Sequence, residues 1–145
     1  MINSDNIIFH HQLPAQLRFS DVDAFGHVNN SIYFQLFDMG KTQYFMDVVR
    51  EDIFKHFGIV VVHVEGNFVS PIYYPDEIAI ETSIVHLGNK SFTLMQRAIN
   101  SRTKEVKCEC ETTMVTVDLD NNVAIRVPDE FREHILAYED SEVLV

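Results

Sequence analysis

Residues 21–30 read DVDAFGHVNN, with two carboxylates, a histidine and two asparagines in front of a long apolar segment. Asp23 therefore lies a few residues before a predicted helix N-terminus. Helix N-termini carry unpaired backbone N–H groups and a partial positive charge, which stabilise a developing oxyanion. A carboxylate nucleophile or general base beside such donors is the minimum that hydrolysis of an acyl bond requires.

The helix that must position these groups is predicted to run from Asn29 or Asn30, either of which can be its N-cap, to about residue 49. Its apolar positions are spread more widely than in a typical surface helix, so we expect it to be buried over much of its circumference. Gly40 costs roughly 1 kcal/mol relative to alanine, and we expect it to allow a close approach to a packed strand. The apolar positions are Ile32, Tyr33, Leu36, Phe37, Met39, Tyr44 and Met46.

Strands are predicted on either side of this helix, beginning with a short one at about 15–20. A second short helix over 51–57 is predicted to end at Gly58 in a left-handed cap. The nearly continuous β-branched run at 59–64 predicts a strand covered on both faces, with a bulge at Gly66. Further strands are predicted over 78–85, 91–100, 106–119 and 123–127, followed by a terminal helix that opens at Pro128.

One long apolar helix followed by an antiparallel meander predicts an α+β fold. The alternating strands have one face to cover, and the long helix is the only element large enough to cover it. We therefore expect a curved antiparallel sheet wrapped around one long central helix. With 145 residues, 46% of them hydrophobic, the chain is expected to form a single domain, 1–145.

Composition argues against several functional classes. The formal net charge of −11 argues against nucleic-acid binding, which requires neutralisation of phosphates. No apolar run of about 18 residues or secretory signal is evident, so we expect no membrane span. Two closely spaced cysteines, Cys108 and Cys110, favour a reduced, cytoplasmic protein. Four cations that cluster late in the chain are interpreted as a solvated rim rather than a phosphate site: Arg97, Arg102, Lys104 and Lys107.

The segment 18–30, RFSDVDAFGHVNN, resembles the signature of the hot-dog acyl-CoA thioesterases of the 4-hydroxybenzoyl-CoA thioesterase type. Tyr33, Phe37 and Tyr44-Phe45 follow in register, and a weaker resemblance extends through 67–68 and 75–78 to 90–92. This resemblance implies a hot-dog fold, an acyl-CoA substrate and no cofactor. It also implies a homodimer or homotetramer with active sites at the subunit interface.

The same resemblance implies roles for individual residues. Asp23 matches the catalytic aspartate, which is a nucleophile or a general base, and the backbone N–H of Asn30 would polarise the thioester carbonyl. His27 would order the loop or contact the thioester, and Asn29 would cap the helix and adjoin the substrate. An acyl tunnel is expected to be lined by Phe25, Tyr33, Phe37 and residues 63–68 of a partner subunit.

Lys90 is the candidate for binding the coenzyme A phosphates. In the aromatic thioesterase the corresponding turn is richer in arginine, whereas here it reads Gly88-Asn89-Lys90. The details of nucleotide binding are therefore expected to differ from those of that enzyme.

Other interpretations of these residues remain open. Asp23 could serve only as a turn residue, whereas Asp21 is expected to brace the loop. Asp38 and Glu65 are rival catalytic carboxylates. The Asp-Val-Asp spacing does not continue as a calcium loop, and the histidines lack metal-ligand spacing, so no metal is expected. The functional alternatives are an acyl-carrier-protein thioesterase and a non-catalytic acyl-CoA-binding module.

Overall fold

The structure, a computed structural model, describes residues 1–139. A long helix, α1 (Asn30–Val48), lies against a curved sheet of five antiparallel strands in the order β1-β3-β4-β5-β2. A second helix, α2 (Asp129–Glu139), contacts β3 and α1. The predicted α+β arrangement is thus confirmed. The strands are β1 (His11–Ala15), β2 (Gly58–Phe68), β3 (Ile78–Leu87), β4 (Ser91–Asn100) and β5 (Val106–Val117).

The backbone of α1 lies close to the sheet at Gly40, as predicted. A Cβ atom at this position would lie 2.5 Å from Cγ2 of Ile80 on β3, a contact that requires something to shift. Buried Gln96 fixes the approach, because its Nε2 donates to the Phe37 carbonyl at 2.9 Å and to Thr82 Oγ1 at 3.0 Å. The helix is therefore tied to the inner face of the sheet by both shape and hydrogen bonds.

Burial of α1 is more one-sided than the sequence predicted. Tyr33, Leu36 and Tyr44 are buried against the sheet, but Met39 and Met46 are 56% and 53% exposed. The sheet covers only one side of the helix, and nothing in residues 1–139 covers the other side fully. An apolar helical surface is therefore left open in the single chain.

Three local predictions are wrong. The strand predicted at 15–20 ends earlier, at Ala15, and Phe19–Asp21 forms a 3-10 turn because the Asp21 carboxylate binds the backbone of Arg18. The second helix is a 3-10 helix, Glu51–Lys55, and Gly58 begins β2 rather than adopting a left-handed cap. Residues 123–127 form only an isolated bridge, between Ala124 and Val117.

The strand β2 also differs from expectation, because it lies at the edge of the sheet and is largely exposed. Val61, Val62 and Val64 are 45%, 58% and 42% exposed, so the prediction of a strand covered on both faces is wrong for the single chain. Its irregularity lies between Val61 and His63 rather than at Gly66. The β-branched run therefore reflects a strand whose cover is not supplied by its own chain.

The core forms two clusters, one at each end of α1. The first contains the end of α1, α2 and the phenylalanines Phe45, Phe92 and Phe131; the second contains the start of α1 and the inner face of β5. Cys108 and Cys110 are free and buried in the second cluster. Within residues 1–139, neither helix combines the length and the hydropathy needed to cross a lipid bilayer.

A buried carboxylate at the end of α2 lies beside β3, next to the part of that strand that does not pair with β1. Glu139 is fully buried and accepts hydrogen bonds from Tyr44 Oη and Ser83 Oγ, both at 2.7 Å. Burial raises the pKa of Glu139, and the hydrogen bonds from Tyr44, Ser83 and the Ile84 backbone, together with the charge of His10, offset this only in part. The protonated form is therefore favoured by folding.

We expect Glu139→Gln to flatten the dependence of stability on pH. A group whose pKa is raised by folding contributes stability at acid pH, and that contribution is lost as pH rises through the folded-state pKa. The wild-type melting temperature should therefore fall relative to the Gln variant as pH rises above the ordinary carboxyl pKa and through the raised pKa of Glu139. Glu133→Gln on the exposed face of α2 is the matched control. Parallel curves for wild type and Glu139→Gln would contradict the assignment.

Candidate functional site

A tight loop between β1 and α1 presents Asp23. Val22 and Val28 form an antiparallel bridge at its base, and the Asp23 N–H donates to the His27 carbonyl at 2.8 Å. Gly26 closes the loop with a φ of +80°, a conformation that side chains other than glycine rarely adopt. Residues 23–26 at the tip of the loop are exposed, whereas the base of the loop is fixed by the bridge between Val22 and Val28.

One oxygen of the Asp23 carboxylate holds the loop. Oδ1 accepts from the backbone N–H groups of Phe25, at 2.9 Å, and His27, at 3.1 Å. The hydrogen bonds that Asp23 accepts within residues 1–139 all reach Oδ1, and the residue is exposed. The turn role and the catalytic role are therefore compatible, because the second oxygen is available to a reacting group.

Asp21 has a different environment, that of a buried brace. Its Oδ2 accepts from the Arg18 N–H at 2.8 Å, its Oδ1 from the Arg18 guanidinium at 3.0 Å, and its carbonyl from the Asn29 N–H at 2.8 Å. Burial alone would raise its pKa, but the backbone and guanidinium bonds from Arg18 outweigh burial and the net pKa is lowered. Asp21 thus joins the end of β1 to the start of α1.

Asp21→Asn should destabilise the fold at neutral pH, by about 1–2 kcal/mol, since the lost bonds are charge-assisted but the Arg18 side chain is largely exposed. A lowered folded-state pKa contributes stability above the unfolded-state pKa, and that contribution is lost as pH falls through the folded-state value. The difference in melting temperature between wild type and variant should therefore shrink in acid. Equal melting temperatures at neutral pH would show that Asp21 is not a brace.

The start of α1 faces the same loop. Asn29 is the N-cap, and its Oδ1 accepts from the Ser31 N–H at 3.2 Å. Asn30 is the first helical residue, and its N–H has no acceptor within the helix, as for every first-turn amide. Both asparagines are exposed. An ordered, solvent-facing amide at the positive end of a helix is suited to binding an anionic oxygen.

A second segment, residues 70–76, supports the loop from behind. The Val28 N–H donates to the Ile72 carbonyl at 2.8 Å, and His27 forms a backbone bridge with Tyr73. The imidazole of His27 packs edge-on against the Tyr73 ring at 5.0 Å between centroids. The sequence left two roles open for His27, ordering the loop and contacting the thioester. These contacts favour the first.

Of the three aromatic residues expected to line an acyl tunnel, only Phe25 is accessible, with 83% exposure. Tyr33 and Phe37 are each 3% exposed and belong to the core. The Tyr33 hydroxyl accepts from the Ile72 N–H at 3.2 Å, so Tyr33 also anchors the 70–76 segment. The structure brings these residues to one end of α1, but it does not enclose a tunnel within a single chain.

Lys90 lies far from Asp23 in the same chain. The Asp23 loop adjoins the end of β3 that starts at Ile78, whereas Lys90 is in the turn after Leu87. Ten strand residues separate the two ends, which corresponds to roughly 30 Å. A single chain therefore does not combine the two groups in one compact site.

The rival carboxylates are both engaged with cations outside this loop. Asp38 on α1 pairs with Lys41 Nζ at 3.1 Å. Glu65 on β2 pairs with the amino group of Met1 at 3.1 Å, and the hydrogen bond and charge of that group lower the pKa of Glu65. Neither shares a hydrogen bond with the Asp23 loop among the contacts described for residues 1–139.

The thiols are unsuited to nucleophilic catalysis. Burial, followed by the neighbouring Cys110, raises the pKa of Cys108 to about 12. A thiol with so high a pKa is not ionised near neutral pH, and the thiolate is the reactive form. Cys108 and Cys110 are instead buried members of the core. No group of three potential metal-ligating side chains is found among the residues that the structure describes.

Sequence reasoning missed one residue that supports the site, Lys107. The sequence predicts Lys107 and Arg97 to be part of a solvated rim, but Lys107 is 6% exposed, and Arg97 on β4 pairs with Glu81 on β3 at 2.8 Å. The Lys107 ammonium donates to the Pro71 carbonyl at 3.1 Å, under the segment that supports the Asp23 loop. The alternation of β5 gave no signal for this burial, because Cys108 and Cys110 mark the inner face of the strand and Lys107 belongs to the opposite face, where the 70–76 segment covers it.

Comparison with known proteins supplies the family. The model of the thioesterase-like superfamily matches residues 17–135, a range that includes the Asp23 loop, α1 and all of the sheet after β1. The chain belongs to the thioesterase-like superfamily. It is therefore a thioester hydrolase by family, and the resemblance seen in the sequence is confirmed. No curated protein matches the sequence.

Solved structures of similar proteins share the fold over nearly the whole chain. The PA5185 protein of Pseudomonas aeruginosa is 25% identical with a TM-score of 0.81, covering 92% of this chain and 94% of that one. A Thermus thermophilus thioesterase solved with coenzyme A and zinc is 26% identical with a TM-score of 0.78, covering 90% and 95%. YbaW, a probable thioesterase of Escherichia coli, is 25% identical with a TM-score of 0.75, covering 86% and 96%. The fold is the hot-dog fold.

Proposed function

We propose that this superfamily member hydrolyses acyl-CoA thioesters to the free acid and coenzyme A, with Asp23 as the catalytic carboxylate. The observation that carries the proposal is the Asp23 loop itself. One carboxylate oxygen holds the loop, the other accepts no hydrogen bond among the described residues, and this exposed residue precedes the N-terminus of α1. The coenzyme A bound in the Thermus thermophilus relative supports the choice of thioester.

The reaction proceeds through a tetrahedral intermediate in either of two ways. In the covalent route, Asp23 attacks the carbonyl carbon, the C–S bond breaks, and coenzyme A leaves as a thiolate that takes a proton from water. A water molecule then hydrolyses the acyl-aspartate anhydride and restores the carboxylate. In the general-base route, Asp23 takes a proton from a water molecule as the water oxygen bonds to the carbonyl carbon. The C–S bond then breaks and the proton passes from Asp23 to the leaving sulfur, which releases coenzyme A as the thiol and restores the carboxylate.

The amide of Asn30 stabilises the oxyanion in both routes. The negative charge develops on the former carbonyl oxygen, and an N–H at the positive end of α1 is oriented before the reaction begins. Asn29 contributes by capping the helix, which fixes the direction of these amides. A module that only bound acyl-CoA would not need an exposed carboxylate at this position.

Asp23→Asn should lower turnover by at least about 100-fold, because a general base typically contributes about 10²–10⁴-fold. The amide retains an oxygen that can accept from Phe25 and His27, so folding and KM should change little. Release of coenzyme A thiol, followed with a thiol-reactive dye over a panel of acyl chains, gives the measurement.

Near-normal turnover in folded Asp23→Asn protein would remove Asp23 from the mechanism. Asp38→Asn and Glu65→Gln are the matched controls, since each removes a carboxylate that the sequence left as a rival. A selective loss of turnover in one of them would reassign the catalytic acid. A preference for acyl groups on a carrier protein over acyl-CoA would identify the alternative substrate class.

We further propose that the active unit is at least a homodimer joined along β2. This edge strand has one row of unpaired backbone groups and carries the exposed valines, both of which favour pairing with another strand. Antiparallel pairing of two β2 strands reverses the direction of the second chain across the joined sheet. Lys90 of the partner subunit then lies toward the end that carries Asp23, where it can meet the coenzyme A phosphates.

Val64→Lys should weaken this association and reduce turnover, because the substitution places charges face to face across the joined strands. Val64 is 42% exposed in the single chain, so the fold itself should tolerate the change. Val123→Lys, at a position 53% exposed outside the sheet, is the control. Sedimentation of wild type at micromolar concentration should give a dimer or tetramer mass. A fully active monomer would contradict the proposal.

A further inference from the structure

A buried lysine with two partly exposed carboxylate partners lies against the segment that supports the Asp23 loop, and no step of the proposed reaction uses it. Lys107 on β5 is 6% exposed, and its Nζ donates to the Pro71 carbonyl at 3.1 Å. The same ammonium lies 3.0 Å from Glu105 and 3.8 Å from Asp76. Burying an ammonium group is costly unless it is paired and hydrogen-bonded, so the cluster is a specific arrangement rather than a solvated surface.

All of the groups that surround Lys107 Nζ connect to residues 70–76. Pro71 belongs to this segment directly. The Asp76 carboxylate accepts from the Tyr73 N–H at 2.9 Å, and the Lys107 carbonyl accepts from the N–H groups of Val69 and Ser70 at 2.9 and 3.0 Å. The Tyr73 ring faces the ammonium at 6.0 Å from its centroid. Lys107 therefore holds the segment through both its backbone and its side chain.

The segment in turn sets the position of the Asp23 loop. The Ile72 carbonyl accepts from the Val28 N–H, and the Tyr73 backbone and ring contact His27. The His27 N–H is one of the two donors to Asp23 Oδ1, at 3.1 Å. A continuous series of hydrogen bonds and packing contacts thus runs from Lys107 to the carboxylate proposed to react.

We propose that Lys107 is a positioning residue for this thioesterase: it holds residues 71–76 against the Asp23 loop and so fixes the carboxylate relative to the Asn30 amide. The expected effect on kcat rests on the proposed function, whereas the expected effect on the position of the Asp23 loop does not. A displacement of about 1 Å at the reacting groups can cost about 10²-fold in rate. Loss of the cluster should therefore act on kcat while substrate binding is retained.

Lys107→Met keeps the aliphatic stem and removes the charge and the donor. We expect kcat to fall by about tenfold or more, with KM within about twofold of wild type. Lys107→Arg retains a cation and donors, and should recover most of kcat. Lys104→Met, at an exposed lysine in the turn before β5, is the matched control and should leave both parameters unchanged.

Amide hydrogen exchange of residues 22–30 separates positioning from overall stability. In Lys107→Met these amides should exchange faster than in wild type, while amides of β4 keep their protection. Wild-type kcat and exchange in folded Lys107→Met would overturn the proposal, as would equal loss of protection throughout the sheet. If Lys107→Met does not fold, Asp76→Asn, which removes the carboxylate shared by Lys107 and Tyr73, is judged by the same criteria.

The two proposals fail in different ways. If wild-type protein hydrolyses no acyl thioester, the proposed function is wrong, while the exchange experiment still tests whether Lys107 holds the loop. If wild type is active and Asp23→Asn is inactive, unchanged kcat in Lys107→Met refutes the positioning role alone.

Discussion

The contact between α1 and β3 at Gly40 is the constraint on which the rest of the fold depends. A sheet with one apolar face needs a cover, and α1 can lie close to it only where a residue has no side chain. Gln96 then ties the helix backbone to the sheet by a buried hydrogen bond. Once the helix is fixed along its length, the position of its N-terminus relative to the strand ends is fixed as well.

The candidate site follows from that fixed N-terminus. The loop before the helix is joined to α1 by Asp21 and to the 70–76 segment by Val28 and His27. Two aspartates only two residues apart thereby acquire different environments. Asp21 is buried against Arg18, whereas Asp23 is exposed and uses one carboxylate oxygen to hold the loop. Environment rather than residue type distinguishes the bracing carboxylate from the carboxylate that we propose to react.

The single chain leaves apolar surface open where a hot-dog sheet ends. The edge strand β2 and the outer side of α1, with Met39 and Met46, expose hydrophobic side chains that residues 1–139 do not cover. Surfaces of this kind are typical of association sites. The separation of Lys90 from Asp23 has the same explanation if a second copy completes the site. The unit of function proposed for this protein is thus larger than its unit of folding.

Local chemistry made part of this protein predictable from its sequence. The helical spacing from Asn30, the glycine that permits close packing, the hairpin turns and the signature around Asp23 are all short-range patterns, and they indicated α1, β3, β4, β5 and the family correctly.

Other features depended on groups distant in sequence. The exposure of β2, the core positions of Tyr33 and Phe37, and the burial of Lys107 under Pro71 were decided by which strand lies at the edge and which segments meet. A lysine looks the same in sequence whether water or a carbonyl oxygen surrounds it, because the desolvation that distinguishes the two cases exists only after the chain has folded.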